Sequence, residues 1–407
     1  MAKQHCIIVG ASHAAAQVAP TLRQQGWEGT ITVIGQEYFL PYHRPPLSKD
    51  FLSGTKSIDN ILIRQPAVYE KSRIRFALGI TVSAIDRANK RITLDDNEHV
   101  AYDKLVLTVG ARVRKIDIPG ADLPGVFYLR NINDVLQIKH FTGKAKNAVI
   151  VGGGYIGLET AASLRKLGMD VTVLEAMPRV LQRVTAPEVS SFYTRVHNEE
   201  GVRIVTDTQV EAITGGKGAE AVVCKNGDTF PADLVIIGVG VIPNTELAAD
   251  AGLAVDNGIV VDEYARTSDY DILAAGDCTS HFNPIYNRQL RLESVQNALD
   301  QATIAALTIC GKEKPYSALP WFWSDQFDLK LQIAGLNQGY TDVVIRGDIQ
   351  GGRSFAAFYL QDNRVLAVDA INRPQEFMLG KRFITEKKVV DAAQLSDESK
   401  PLKDLLA

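Results

Sequence analysis

Three glycines and one acid carry the clearest chemistry in the chain. Gly152, Gly154 and Gly157 stand in the spacing G-x-G-x-x-G within AVIVGGGYIGLETAASLRKLGMDVTVLE, residues 148–175, and Glu175 closes the stretch. The apolar run from Ala148 to Val151 predicts a buried parallel strand. A glycine turn, an amphipathic helix and a second strand over 171–174 follow. A strand, turn and helix in this pattern bind a dinucleotide. Gly152 permits the tight turn, Gly154 lets backbone N–H groups approach a pyrophosphate, and Gly157 lets the helix pack close to the strand with its N-terminus facing the anion. Tyr155 and Ile156 occupy the variable positions. Glu175 sits where a carboxylate accepts both ribose hydroxyls of NAD, and it would repel a 2′-phosphate, which favours NADH over NADPH.

The first 37 residues repeat this unit in weaker form: HCIIVG, ASHAAA, a helix through Gly26, then TITVIGQE. Aligning Gly10 with Gly152 also pairs Leu22 with Leu164, Arg23 with Arg165 and Gly26 with Gly168. Ser12 replaces the second glycine and Ala15 the third, small side chains that preserve close approach. Gly35 falls opposite Glu175, so the nearest carboxylate is Glu37, expected either at a ribose or as a plain surface acid. Further strands are expected over 102–109, ending Thr108-Val109-Gly110, over 232–240, ending at Gly240, and over 271–277, ending at Asp277. Each places small residues at a strand's carboxyl end, where open α/β sheets bind ligands.

The elements that must position these residues belong to a chain of 407, long enough for two or three domains. A hydrophobic share of 46%, a charged share of 22% and a net charge of −3 fit a globular protein and give no basic footprint for nucleic acid. No apolar run approaches the ~18 residues that span a bilayer. A strand entered by about Cys6 leaves no room for a signal peptide, and the expectation is a cytoplasmic protein. Cys6, Cys224, Cys278 and Cys310 include no C-x-x-C pair; Cys6 and Cys224 read as buried small hydrophobes. The histidines show no metal spacing, so no metal is expected.

The stretches PYHRPPLSKDFL (41–52), GGGYIGLE (152–159), AAGDC (274–278), RLESVQNA (291–298) and PWFWSDQ (320–326) together carry a family resemblance. From residue 4 to about 400 the chain resembles the FAD-containing, NADH-dependent reductases that serve ferredoxins or rubredoxins in bacterial oxygenase systems. Apoptosis-inducing factor and monodehydroascorbate reductase are more distant relatives. The resemblance implies an α/β protein with two Rossmann-like dinucleotide-binding domains, one for FAD and one for NAD, of the glutathione-reductase type, plus a smaller C-terminal α+β domain. It sets the FAD domain at 1–111 and 242–318, the NAD domain at 112–241 and the last domain at 319–407. It assigns Gly10, Ser12, Ala15, Glu37, Arg44, Lys49, Thr108, Gly110, Asp277, Val295 and Trp321 to FAD. Gly152, Gly154, Tyr155, Ile156, Gly157, Glu175 and Gly240 go to NADH. The implied partner is a [2Fe-2S] ferredoxin or a rubredoxin, with no nucleic acid or membrane, and the implied state is a monomer or weak dimer.

By the same resemblance, Lys49 and Glu159 form a pair near flavin N5. The cation favours the electron-rich reduced ring and the carboxylate orients the cation. Glu159, two residues past Gly157, is expected in the first turn of its helix, where an acid also suits the macrodipole. Pro41, Pro45 and Pro46 stiffen the arch carrying Arg44 and Lys49. A helix entered near Glu293 could aim backbone N–H groups at flavin N1 and O2. An aromatic at Tyr155 can cover a nicotinamide pocket or simply pack. Trp321 and Trp323 would share one strand face, lining the flavin edge or sealing a domain interface. Oxidases and peroxidases resembling this fold use an early cysteine, and none stands between Cys6 and Cys224. The alternatives are a reductase of monodehydroascorbate or a quinone, and an NADH-sensing protein resembling apoptosis-inducing factor.

Overall fold

A computed structural model describes residues 4–406. The chain groups into two compact units, one running up to His43 with Ile58–Arg112 and Val241–Pro320, the other made of Arg44–Ser57, Val113–Gly240 and the chain from Trp321 onward.

In the first unit, His5–Val9 is the central strand of a five-stranded parallel sheet, ordered Ile272–Ala274, Lys104–Leu107, His5–Val9, Thr30–Gly35, Ile74–Leu78. Both faces are covered, which is why Cys6, Ile7 and Ile8 are all fully buried and the strand reads as a continuous apolar run. Helix His13–Gln24 lies against helix Val295–Ile309, tied to it by Gln17 donating to Thr303 Oγ1 at 3.2 Å.

The second unit holds a sheet of the same design, ordered Val126–Tyr128, Leu234–Ile237, Asn147–Val151, Asp170–Leu174, Val202–Val205, all parallel. The repeat seen over the first 37 residues runs much further than that. Into each parallel sheet the chain inserts a three-stranded antiparallel one, Val82–Asp86/Arg91–Leu94/His99–Ala101 before Lys104–Leu107 in one unit and Val210–Thr214/Ala221–Cys224/Thr229–Pro231 before Leu234–Ile237 in the other. Even the bulge repeats, between Val82 and Ala84 and between Val210 and Ala212. Its hydrogen bonds repeat too. Arg23 donates to the Trp27 carbonyl at 2.7 Å and Arg165 to the Met169 carbonyl at 3.0 Å. Asp103 accepts from the His5 N–H and Asp233 from the Asn147 N–H.

Also in the second unit, five antiparallel strands run in the order Trp321–Gln326, Leu329–Gly335, Arg364–Ile371, Ser354–Gln361, Asp342–Asp348. Positive φ at both Asp362 and Asn363 makes the tight hairpin turn whose twist suits the flanking strands. Helix Pro374–Thr385 covers this sheet, with Gly380 so close that a Cβ there would meet Val368 Cγ2 at 2.7 Å. No helix among the described residues is long and apolar enough to cross a membrane.

Candidate functional site

The two glycine turns are built alike. Gly10 and Gly152 have φ of +104° and +109°, and a Cβ on either would lie 2.3 Å from the Thr108 carbonyl oxygen or 2.5 Å from that of Gly238. Only glycine fits, for conformation and for space. Each turn leads into a helix whose N-cap is Ser12 or Gly154, in extended backbone, with no side-chain cap bond. No side chain caps the first-turn N–H groups of helix Tyr155–Lys166, which suits them to an anion. A Cβ on Gly154 would meet nothing within 4 Å, and neither would one on Gly240, so open space faces both. A Cβ on Gly157 would meet the Gly152 carbonyl oxygen at 2.1 Å, the close helix–strand approach that the third glycine serves. Ala15 takes the corresponding place in the first unit and is 1% exposed.

Glu175 is held by the turn it follows. Oε2 accepts from the Gly153 N–H at 2.7 Å and Oε1 from the Met177 N–H at 2.8 Å. Each oxygen retains a lone pair, so the carboxylate is oriented without being saturated. In the first unit the strand register pairs Val9 with Ile34 as Val151 pairs with Leu174, which puts Gly35 at the place of Glu175. A Cβ there would lie 2.5 Å from the Ala11 Cβ, so no acid fits. Glu37, two residues on, accepts from the Tyr42 hydroxyl at 2.5 Å.

The remaining first-unit residues surround strand ends. The Thr108 hydroxyl proton is committed to the turn, with Oγ1 3.0 Å from the Val9 carbonyl and 2.8 Å from that of Gly10, so the side chain can offer a ligand only an acceptor. Gly110 has φ +61° and its carbonyl accepts from the Asn244 N–H at 2.9 Å. Asp277 follows Gly276, whose N–H donates to Gln301 Oε1 at 2.9 Å. Val295 opens helix Val295–Ile309 behind the N-cap Ser294, whose hydroxyl accepts from the Asn297 N–H. Gln301 also accepts from Thr279 and from Asn297, and Tyr316 donates to Asn297, so one buried amide ties the Gly276 turn to this helix. Nothing in the sequence around Gln301 marks it for this task.

The second unit brings Lys49 and Glu159 together. Lys49 Nζ lies 2.8 Å from Glu159 Oε1, and the carboxylate is 2% exposed. One expectation needs correction: helix Tyr155–Lys166 begins before Gly157, so Glu159 stands in its second turn, too deep for the helix end to hold it. What holds it is a set of hydroxyls. Ser48 donates to Oε2 and Ser324 to Oε1, both at 2.6 Å, while Ser163, one turn on, donates to the Ser48 carbonyl at 2.7 Å. Glu159 and Ser163 thus dock the short turn Pro45–Ser48 on one helix face, and Lys49 follows directly. Arg44 precedes that turn and donates to the Arg130 carbonyl at 2.7 Å.

Strand Trp321–Gln326 presents two faces. Trp321 and Trp323 share one, with ring centroids 5.5 Å apart, and Lys381 Nζ sits 4.7 Å over Trp321. The other carries Phe322, 5.1 Å from the Tyr155 ring, then Ser324 and Gln326. The Tyr155 hydroxyl is buried, with no hydrogen-bond partner among the described residues, and burial followed by the charge of Asp369 pushes its pKa well up. Asp369 itself accepts from Thr185 at 2.6 Å and Tyr359 at 2.5 Å, and burial raises it to about 6. Ile156 is exposed.

Residues 4–302 match the family described as Pyridine nucleotide-disulphide oxidoreductase, and residues 321–406 the one described as Reductase C-terminal. The chain belongs to the pyridine nucleotide-disulphide oxidoreductase family. It is 44% identical to putidaredoxin reductase CamA of Pseudomonas putida over 100% of this chain and 97% of that one. A probable ferredoxin reductase, CtmF, of Castellaniella defragrans is also 44% identical, over 97% of each chain. Among solved structures, a covalent putidaredoxin reductase–putidaredoxin complex matches with a TM-score of 0.96 and 43% identity, covering 100% of this chain and 99% of that one. The chain is an oxidoreductase, and the cofactors of its family are FAD and NAD(P)H. The two glycine cradles fit such groups. All four cysteines are free, and burial pushes the Cys6 and Cys278 thiols up to about 12, so they are inert.

Proposed function

We propose that this protein takes hydride from NADH onto FAD and passes electrons one at a time to a [2Fe-2S] ferredoxin, with a rubredoxin as the other carrier of the same class, that feeds a cytochrome P450 or a ring-hydroxylating dioxygenase. The balance is NADH plus two oxidised ferredoxins giving NAD⁺, one proton and two reduced ferredoxins. Bound FAD supplies the conversion of one two-electron step into two one-electron steps.

The residues have separate tasks. Gly152, Gly154 and Gly157 admit the nicotinamide dinucleotide's pyrophosphate to the helix N-terminus, Glu175 takes its ribose and excludes a 2′-phosphate, and Tyr155, Ile156 and Gly240 border it. Gly10, Ser12 and Ala15 do the same for FAD, with Glu37, Arg44, Thr108, Gly110, Asp277, Val295 and Trp321 as its further contacts. Lys49 and Glu159 tune the flavin. The observation that carries the reading is the buried ion pair at 2.8 Å, because a lysine 15% exposed, fixed on a carboxylate 2% exposed, is an oriented charge rather than a solvated one. The division into 1–111 with 242–318, 112–241 and 319–407 belongs to the proposal, as does a monomer or weak dimer. A cytoplasmic location is supported by four unpaired thiols.

The experiment is anaerobic addition of NADH to the flavin-loaded protein, then of [2Fe-2S] ferredoxins and rubredoxins in turn. Bleaching of the flavin followed by rapid recovery with one such carrier is expected. Bleaching that only a quinone or air reverses would point instead to a small-molecule reductase.

A further inference from the structure

Glu159 sits at one end of a buried line of polar groups that the proposed reaction does not use. Ser324 donates to Glu159 Oε1 at 2.6 Å, Gln326 Nε2 donates to Ser324 Oγ at 3.1 Å, and His197 Nε2 lies 2.8 Å from Gln326 Oε1. Ser324 and His197 are fully buried and Gln326 is 2% exposed. The Phe327 ring packs against His197 in an edge-to-face arrangement, ring centroids 5.1 Å apart.

The chemistry of one end fixes every proton along the line. An ionised carboxylate only accepts, so the single proton of Ser324 goes to Glu159. The Ser324 oxygen must then accept from Gln326, which turns the amide nitrogen toward serine and the amide oxygen toward His197. That oxygen carries no proton, so His197 must donate from Nε2 and keep a bare lone pair on Nδ1. Nδ1 is indeed buried with no hydrogen-bond partner among the described residues. Burial holds the imidazole pKa at about 4, so at neutral pH the ring has the one proton this assignment needs. Every dipole in the line points the same way, and bonds aligned in series polarise one another.

We infer that Ser324, Gln326 and His197 are positioning residues: a directed chain of hydrogen bonds that keeps the Glu159 carboxylate aimed at Lys49. The inference rests on the reading of Lys49 as the residue that tunes the flavin. It gives the strand after residue 320 a task in the chemistry, because its alternate residues Ser324 and Gln326 are the two middle links.

Two measurements test it. In protein labelled with ¹⁵N-histidine, the His197 signal, assigned by its loss in His197→Phe, is expected to show the Nε2–H tautomer at pH 7. An Nδ1–H tautomer or a doubly protonated ring would overturn the chain directly, whether or not any variant folds. Ser324→Ala is expected to move the flavin midpoint potential to more negative values and to slow flavin reduction by NADH about tenfold, the size of one hydrogen bond to a charged group. Ser324→Thr, which keeps the hydroxyl, should restore both. Lys49→Ala separates the two levels of the argument. If it is slow while Ser324→Ala matches wild type in rate and potential, the chain has no such role and the reading of Lys49 survives. If Lys49→Ala itself matches wild type, the reading of Lys49 fails first.

Discussion

The two halves of the repeat solve the same binding problem with different residues. Where they agree, the protein backbone demands agreement: Gly10 and Gly152 both have φ above +100° and both lie against a carbonyl of the neighbouring strand. Where they differ, the difference is a steric exchange. The second half has Gly153 beside Glu175, with a Cβ on Gly153 falling 3.2 Å from Glu175 Oε2; the first half has Ala11 beside Gly35, where a side chain at 35 would strike Ala11. One methyl group decides which strand end can carry an acid. Ser12 against Gly154 teaches the complementary lesson, since Gly154 has ordinary extended backbone and open space at its Cβ. The fold does not require a glycine there, and on the proposed reading it serves the ligand.

The comparison can be broken first at the shared glycines. Gly10→Ala and Gly152→Ala should each cost about 4 kcal/mol, combining a forbidden φ with overlap on a backbone carbonyl. Thermal melts and the yield of folded protein read this, and a loss below about 1 kcal/mol would refute the packing argument.

Acid is expected to act on both units next. Burial holds His281 in the first unit and His197 in the second at about 4, below the ordinary 6.5. Their folded pKa values are depressed, so the stability they allow is present above pH 6.5 and is lost as pH falls toward 4, because only the unfolded chain takes up the protons. The loss is up to about 3 kcal/mol for each. Asp369, raised to about 6, acts in the opposite sense, costing stability as pH rises through 6. Denaturant melts from pH 7 to 4 should show falling stability, and in the double variant His281→Phe with His197→Phe the fall should vanish and give way to the opposite trend that Asp369 sets.

The steric exchange itself is tested by a swap. Gly35→Glu should destabilise by about 2 kcal/mol, and adding Ala11→Gly should recover about half, a coupling in the range for residues in contact. Additive effects would show that Ala11 is not what excludes the acid. Smallest of all is Gly154→Ser, which copies the Ser12 of the other half. Stability should stay within about 0.5 kcal/mol while the KM for NADH rises.

Much of this symmetry was legible, and some that was overlooked could have been read. The G-x-G-x-x-G turn and the Lys49–Glu159 pairing follow from local pattern or family likeness. So does the shared face of Trp321 and Trp323, which alternation alone places together. The strands expected over 102–109, 232–240 and 271–277 stop short, at Lys104–Leu107, Leu234–Ile237 and Ile272–Ala274, because the small residues beyond them turn the chain. The longer repeat was visible as VSAI at 82–85 against VEAI at 210–213 and as an aspartate before KLVL and LVII. Glu159 was misplaced by one turn because the third glycine of the motif lies inside the helix, not at its start. Ser48, Ser324, Gln326, His197 and Gln301 left no local signal. Ser324 meets Glu159 across 165 residues of chain, and a serine or glutamine in a strand says nothing about what lies opposite.

The division of labour between the halves is tested most directly by titrating the flavin-loaded protein with ADP-ribose, the nicotinamide-free part of NADH, and measuring flavin content alongside. One site is expected in wild type. In Glu175→Ala the affinity for ADP-ribose should fall by about 2 kcal/mol, the value of hydrogen bonds to a charged group, with the flavin-to-protein ratio unchanged. Loss of flavin with ADP-ribose binding intact would contradict the account and exchange the roles of the two halves.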